Sequence, residues 1–106
     1  MRIFVDIDGT LTEKQTCSSA FKVPPRADVV EKVKELIAAG HEVILWSGNA
    51  KYAEKVAKLY NIKAFACLGK PQLIIDNQDR KLKRVLKRAV VTPEVFLLMD
   101  FNKKEQ

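Results

Sequence analysis

The run Val5-Asp6-Ile7-Asp8-Gly9-Thr10-Leu11-Thr12 ends an apolar stretch on two carboxylates separated by one residue. Residues i and i+2 of a strand point to the same face, and at a strand's carboxyl end they meet the crevice in which open α/β sheets bind ligands. Two carboxylates that close disfavour joint ionisation, and Mg²⁺, a hard cation that prefers oxygen ligands and keeps several waters, is the usual compensation. Two further polar groups follow apolar runs. Ser47-Gly48-Asn49 succeeds residues 42–46, and Asp76, Asn77 and Asp79 succeed residues 72–75, with Lys70 just upstream. If those runs are parallel strands, their carboxyl ends share one edge and all three groups converge.

Together they make up the parts list of phosphoryl transfer: a nucleophile, a metal, donors for phosphate oxygens and a proton shuttle. Asp6 is the expected nucleophile, attacking phosphorus to give an aspartyl-phosphate. Asp8 is the expected acid and base, protonating the leaving oxygen and later deprotonating water. Ser47 offers a hydroxyl, Lys70 a point charge, and the backbone amides around Gly9, Thr10 and Gly48 a phosphate cradle. Asp76 completes a cation site with Asp6 and Asp8, and Asn49, Asn77 and Asp79 are auxiliary candidates. Each residue alone has a plainer reading: Ser47 as a helix cap, Lys70 as a solvated cation, Asp76 as a turn former. A calcium loop is excluded, because it requires Gly at its sixth position, Glu at its twelfth and a flanking helix.

The elements that must position these residues follow from periodicity. Alternation over residues 1–7 predicts a strand buried on both faces, closed by Gly9. Residues 13–23 lack a sustained period and read as a loop or flap ending at Pro24-Pro25. From Pro25, Val29, Val30, Val33, Leu36 and Ile37 recur at 3.6-residue spacing until Gly40 stops the helix. A strand over 42–46 and a helix over 50–60, with Ala53, Val56, Ala57 and Tyr60 on one face, come next. Short strands over 64–68 and 72–75 flank Gly69-Lys70-Pro71, and Thr92-Pro93-Glu94 opens a last helix packed by Val95, Phe96, Leu98 and Met99.

Alternating strands and helices with short connections predict a single α/β domain over 1–106, a doubly wound, Rossmann-like parallel sheet with flanking helices. One connection resists that topology. Parallel neighbours need a crossover of a dozen residues or more, so 64–68 and 72–75 either are not parallel neighbours or are not both strands.

Composition bounds the function classes. In 106 residues, 47% hydrophobic and 30% charged, there is material for one core and no substantial lid. No apolar run approaches the roughly 20 residues of a membrane span, so a cytoplasmic protein is expected. Cys17 and Cys67 have no CxxC spacing and read as reduced thiols rather than a disulfide or zinc site. His41, in a helix-to-strand turn, reads as structural, and Trp46 as core. The polar tail 102–106 reads as frayed. The net charge of +6 is concentrated in Arg80-Lys81-Leu82-Lys83-Arg84-Val85-Leu86-Lys87-Arg88. That segment reads as a solvated helix face, or as a basic face attracting a polyanion.

In ordered motifs the sequence resembles the haloacid dehalogenase-like superfamily of phosphohydrolases. Asp6-Ile7-Asp8-Gly9-Thr10 matches the first motif, Val43 to Ser47 the second, Lys70 the third, and Leu73-Ile74-Ile75-Asp76 the fourth, in the family's order over about two-thirds of the chain. The resemblance implies a phosphatase with Asp6 as nucleophile, Asp8 as acid and base, Ser47 and Lys70 as phosphate ligands, and Mg²⁺ held by Asp6, the Asp8 carbonyl and Asp76. Asn77 departs from it, standing where many members carry a second acid. The closeness of the third and fourth motifs is similar to that of compact members without a helix between them.

Family members carry caps after the first motif or between the second and third, and this chain has space for neither. The resemblance to capless members implies an open site, working on a macromolecular phosphosubstrate or closed by a neighbouring subunit of a homo-oligomer. Its basic segment favours an anionic substrate: a phosphorylated small molecule, a nucleotide or a nucleic-acid end. Two other classes compete. One is a phosphate- or nucleic-acid-binding module with a degenerate phosphatase site. The other is a phospho-accepting regulatory domain, disfavoured because its acceptor usually lies on a later strand.

Overall fold

The structure, a computed structural model, describes residues 1–13, 19–73, 75 and 91–101. Strand β1 (Arg2–Asp6), helix α1 (Ala27–Ala38), strand β2 (Glu42–Ser47), helix α2 (Ala50–Leu59) and strand β3 (Ala66–Gly69) alternate along the chain, and helix α3 (Pro93–Leu98) follows. The described strands form one parallel sheet in the order β1-β2-β3. Asp6 pairs with Trp46, and Ser47 with Gly69. All three carboxyl ends therefore lie along one edge.

Alternation sorts the side chains. Val5 and Ile7 from the first strand and its exit, with Val43 and Leu45 from β2, enter the core beside Val29, Val33 and Leu36 of α1 and Ala53 and Val56 of α2. Burying a side chain of this size contributes roughly 2 kcal/mol. The helical period of α1 was readable because its buried residues keep one stripe.

Four expectations are corrected. The first strand is not buried on both faces: Val5 enters the core, whereas Phe4, on the opposite face, is 46% exposed. Helix α1 starts at Ala27, not Pro25, since Pro25 bridges Thr12 and the Arg26 amide donates to the Leu11 carbonyl. No described residue of the expected strand 72–75 is in a strand; Ile74 lies outside the described residues. Leu73 and Ile75 there are 76% and 89% exposed and bury nothing among the described residues. In the last helix, Phe96 is buried whereas Val95, Leu98 and Met99 are exposed. The basic segment 80–88, the tail 102–106 and Cys17 lie outside the described residues, and Cys67 is a free thiol.

Candidate active site at the carboxyl edge of the sheet

The turn after β1 is anchored from both sides. Ile7 and Leu11 are fully buried, and the amides of Thr10, Leu11 and Thr12 all donate to the Ile7 carbonyl. Gly9 supplies a φ of 80°, a conformation that side-chain-bearing residues rarely adopt, and its amide donates to Thr12 Oγ1 at 3.1 Å. Driving Ile7 and Leu11 inward leaves Asp6, Asp8 and Thr10 half-buried at the sheet edge.

Lys70 reaches Asp6 from the end of β3. Its amide donates to the Ser47 carbonyl at 2.6 Å, and its Nζ lies 2.9 Å from Asp6 Oδ1. Because β2 stands between those strands, the lysine crosses Trp46, whose ring centre is 5.8 Å from the ammonium. Trp46 is accordingly half-buried, packed edge-on against Phe4 at 4.8 Å rather than sealed in the core. Thr10 Oγ1 approaches the other oxygen of Asp6 at 3.5 Å, a distance at which the contact is weak.

Ser47 is buried, and its hydroxyl donates to the Asn49 carbonyl at 2.7 Å and accepts from the Asn49 amide at 3.0 Å. The Asn49 side chain caps α2 through the Lys51 amide at 2.9 Å. The cap expected of Ser47 thus belongs to Asn49, and the Ser47 proton points along the chain. The Gly9 amide donates to Thr12 Oγ1 and the Thr10 amide to the Ile7 carbonyl, both within the turn. The Gly48 amide makes no hydrogen bond among the described residues.

The structure therefore gathers Asp6, Asp8, Thr10, Ser47, Gly48, Asn49 and Lys70 at one edge. Asp76, Asn77 and Asp79 lie outside the described residues. Asp6 and the Asp8 carbonyl are hard oxygens of the kind Mg²⁺ takes. Among the described residues no group of three or more His, Cys, Asp and Glu side chains stands ready to hold a metal.

Two tyrosines of α2 and its exit were missed by sequence reasoning. Tyr52 Oη donates to Asp8 Oδ1 at 2.6 Å, and Tyr60 Oη is buried without a hydrogen-bond partner among the described residues. Burial, and then the charge of Asp8, pushes the Tyr60 phenol above its ordinary range. A tyrosine in the first turn of the helix after β2, apolar in body and polar at its tip, was the available signal for Tyr52.

No protein-family model matches the chain, and no curated protein does. Among solved structures, the chain is similar to the crystal structure of an MCSG target from Vibrio cholerae, with a TM-score of 0.64 and 24% identity over 95% of this chain and 90% of that one. At that identity the likeness is one of fold. The fold is a small parallel α/β sheet with flanking helices, consistent with a Rossmann-like architecture. Among the described residues no helix is long and apolar enough to cross a membrane.

Proposed function

We propose that the chain is a cytoplasmic, Mg²⁺-dependent phosphohydrolase of the haloacid dehalogenase-like type, capless, acting on a phosphomonoester through an aspartyl-phosphate. In this reading the three described strands are part of a doubly wound sheet. The observation that carries it is the 2.9 Å approach of Lys70 to Asp6, residues brought from opposite edges of the described sheet onto one carboxyl end.

Lys70 Nζ marks where phosphate charge is met, and the Gly48 amide is a second donor. An Asp6 oxygen attacks phosphorus while the ester oxygen leaves, taking a proton from Asp8. Asp8 then accepts a proton from water as that water attacks phosphorus, which frees Asp6 and inorganic phosphate. Mg²⁺, bound by Asp6, the Asp8 carbonyl and Asp76, would offset phosphate charge. Substrates of the proposed class are phosphorylated small molecules, nucleotides or nucleic-acid ends, with a neighbouring subunit or a macromolecular substrate covering the open cleft.

A phosphate- or nucleic-acid-binding module without turnover is the second reading, favoured by Asn77, which stands where many members of the family the chain resembles carry a second acid. A phosphatase screen over sugar phosphates, nucleotides and phosphorylated oligonucleotide ends separates the two readings. We expect turnover with Mg²⁺ that EDTA removes and that Asp6→Asn abolishes at nearly unchanged melting temperature. Activity retained by Asp6→Asn rejects the mechanism, and absence of any turnover favours the binding module.

A further inference from the structure

The Tyr52 hydroxyl joins three separate parts of the chain. Its ring is 8% exposed in the first turn of α2, with the Phe21 ring centre 6.1 Å away. Its oxygen accepts from the Ala20 amide at 3.0 Å and lies 2.6 Å from Asp8 Oδ1. A phenol has one proton. With the Ala20 N–H directed at the oxygen, the phenol proton is the one donated to Asp8 Oδ1. The resulting bond is short, and it is made by a side chain whose ring is fixed by packing.

We infer that Tyr52 is a positioning residue for Asp8 in the reaction proposed above, on which this inference rests. Asp8 sits on the turn after β1, and proton delivery to a leaving oxygen tolerates little misplacement. The phenol holds one oxygen of its carboxyl group in place. Through the Ala20 amide it also ties the carboxylate to the short helical turn Ser19–Phe21. Beside it, the Glu13 amide donates to the Pro24 carbonyl and the Arg26 amide to the Leu11 carbonyl.

A positioning role has a signature that a purely structural one lacks. Leaving-group protonation matters most when the leaving oxygen is a poor one. Tyr52→Phe, which removes the hydroxyl and keeps the ring, is expected to lower kcat/KM for an alkyl phosphate by roughly a hundredfold. For an aryl phosphate whose phenol is strongly acidic, kcat/KM stays near the wild-type value, because that ratio reports formation of the aspartyl-phosphate, before Asp8 acts as a base. Asp8→Asn should show the same dependence on leaving group, and the double variant should lose no more than Asp8→Asn alone.

Melting curves of each variant accompany the kinetics, so that loss of fold reads as equal loss on both substrates. Equal losses, or additive losses in the double variant, overturn the positioning role and leave the proposed function standing. Failure of the wild type to hydrolyse either ester with Mg²⁺ overturns the function and the role of Tyr52 together.

Discussion

Tyr60 closes α2 with its phenolic oxygen buried and without a hydrogen-bond partner among the described residues. Leaving such a group unpaired costs about 1 to 3 kcal/mol. Tyr60→Phe should therefore stabilise the protein by about 1 kcal/mol at neutral pH in denaturant melts. Burial first, and Asp8 second, raise the folded phenol's pKa. A raised folded value means that stability is fully present below the unfolded phenol's range and is lost as pH rises through the folded one. The wild type should lose stability on the alkaline side, and Tyr60→Phe should lose less; a variant weakened at neutral pH would show that the oxygen has a partner. At this scale the sequence was legible where motif spacing names a residue, as with Asp6, Asp8 and Lys70. It was silent where a role depends on a distant partner: Tyr52 is assigned only by the approach of Asp8, 44 positions away.

Helix α3 is short and held by clasps more than by burial. Phe96 is its buried side chain, Lys32 of α1 donates to the carbonyls of Leu97 and Met99 at 3.0 and 2.8 Å, and Arg26 meets Glu94 at 3.2 Å. The Glu94 carboxyl is held below its usual range, first by its own backbone amide and then by Arg26 and Thr92. A depressed folded value means that its contribution is present above the unfolded carboxylate range and fades as pH falls through the folded one. Protection of the α3 amides, with the intrinsic slowing of exchange in acid divided out, should fall as pH drops, and Glu94→Gln should show the low protection already at neutral pH; unchanged protection in that variant would remove Glu94 from the clasp. Element periods were readable for α1 and α2, whose buried residues keep one stripe. Residues 72–75 misled because composition alone does not say whether an apolar run is covered, and Leu73 and Ile75 are exposed; α3 misled because Val95 and Leu98 face out while Phe96 is buried.

Across the whole molecule, a net charge of +6 attracts phosphate dianions before any contact forms. Added salt should lower kcat/KM for an anionic ester while leaving kcat unchanged, since screening acts over roughly 10 Å at 0.1 M ionic strength. A kcat that falls with salt instead would place the charge effect in the site itself. The likeness to the Vibrio cholerae structure covers nearly the whole chain and speaks to the fold. The chemistry rests on where the strand ends bring Asp6, Asp8 and Lys70.

The central claim is that Asp6 carries the phosphoryl group. The most direct measurement is to quench the protein in acid during incubation with a phosphomonoester and Mg²⁺, reduce it with borohydride, which attacks acyl phosphates, and locate the reduced residue by peptide mass. Reduction at Asp6 in the wild type, lost in Asp6→Asn, is the predicted result. Turnover with Asp6 unreduced, or with another carboxylate reduced, would contradict the account.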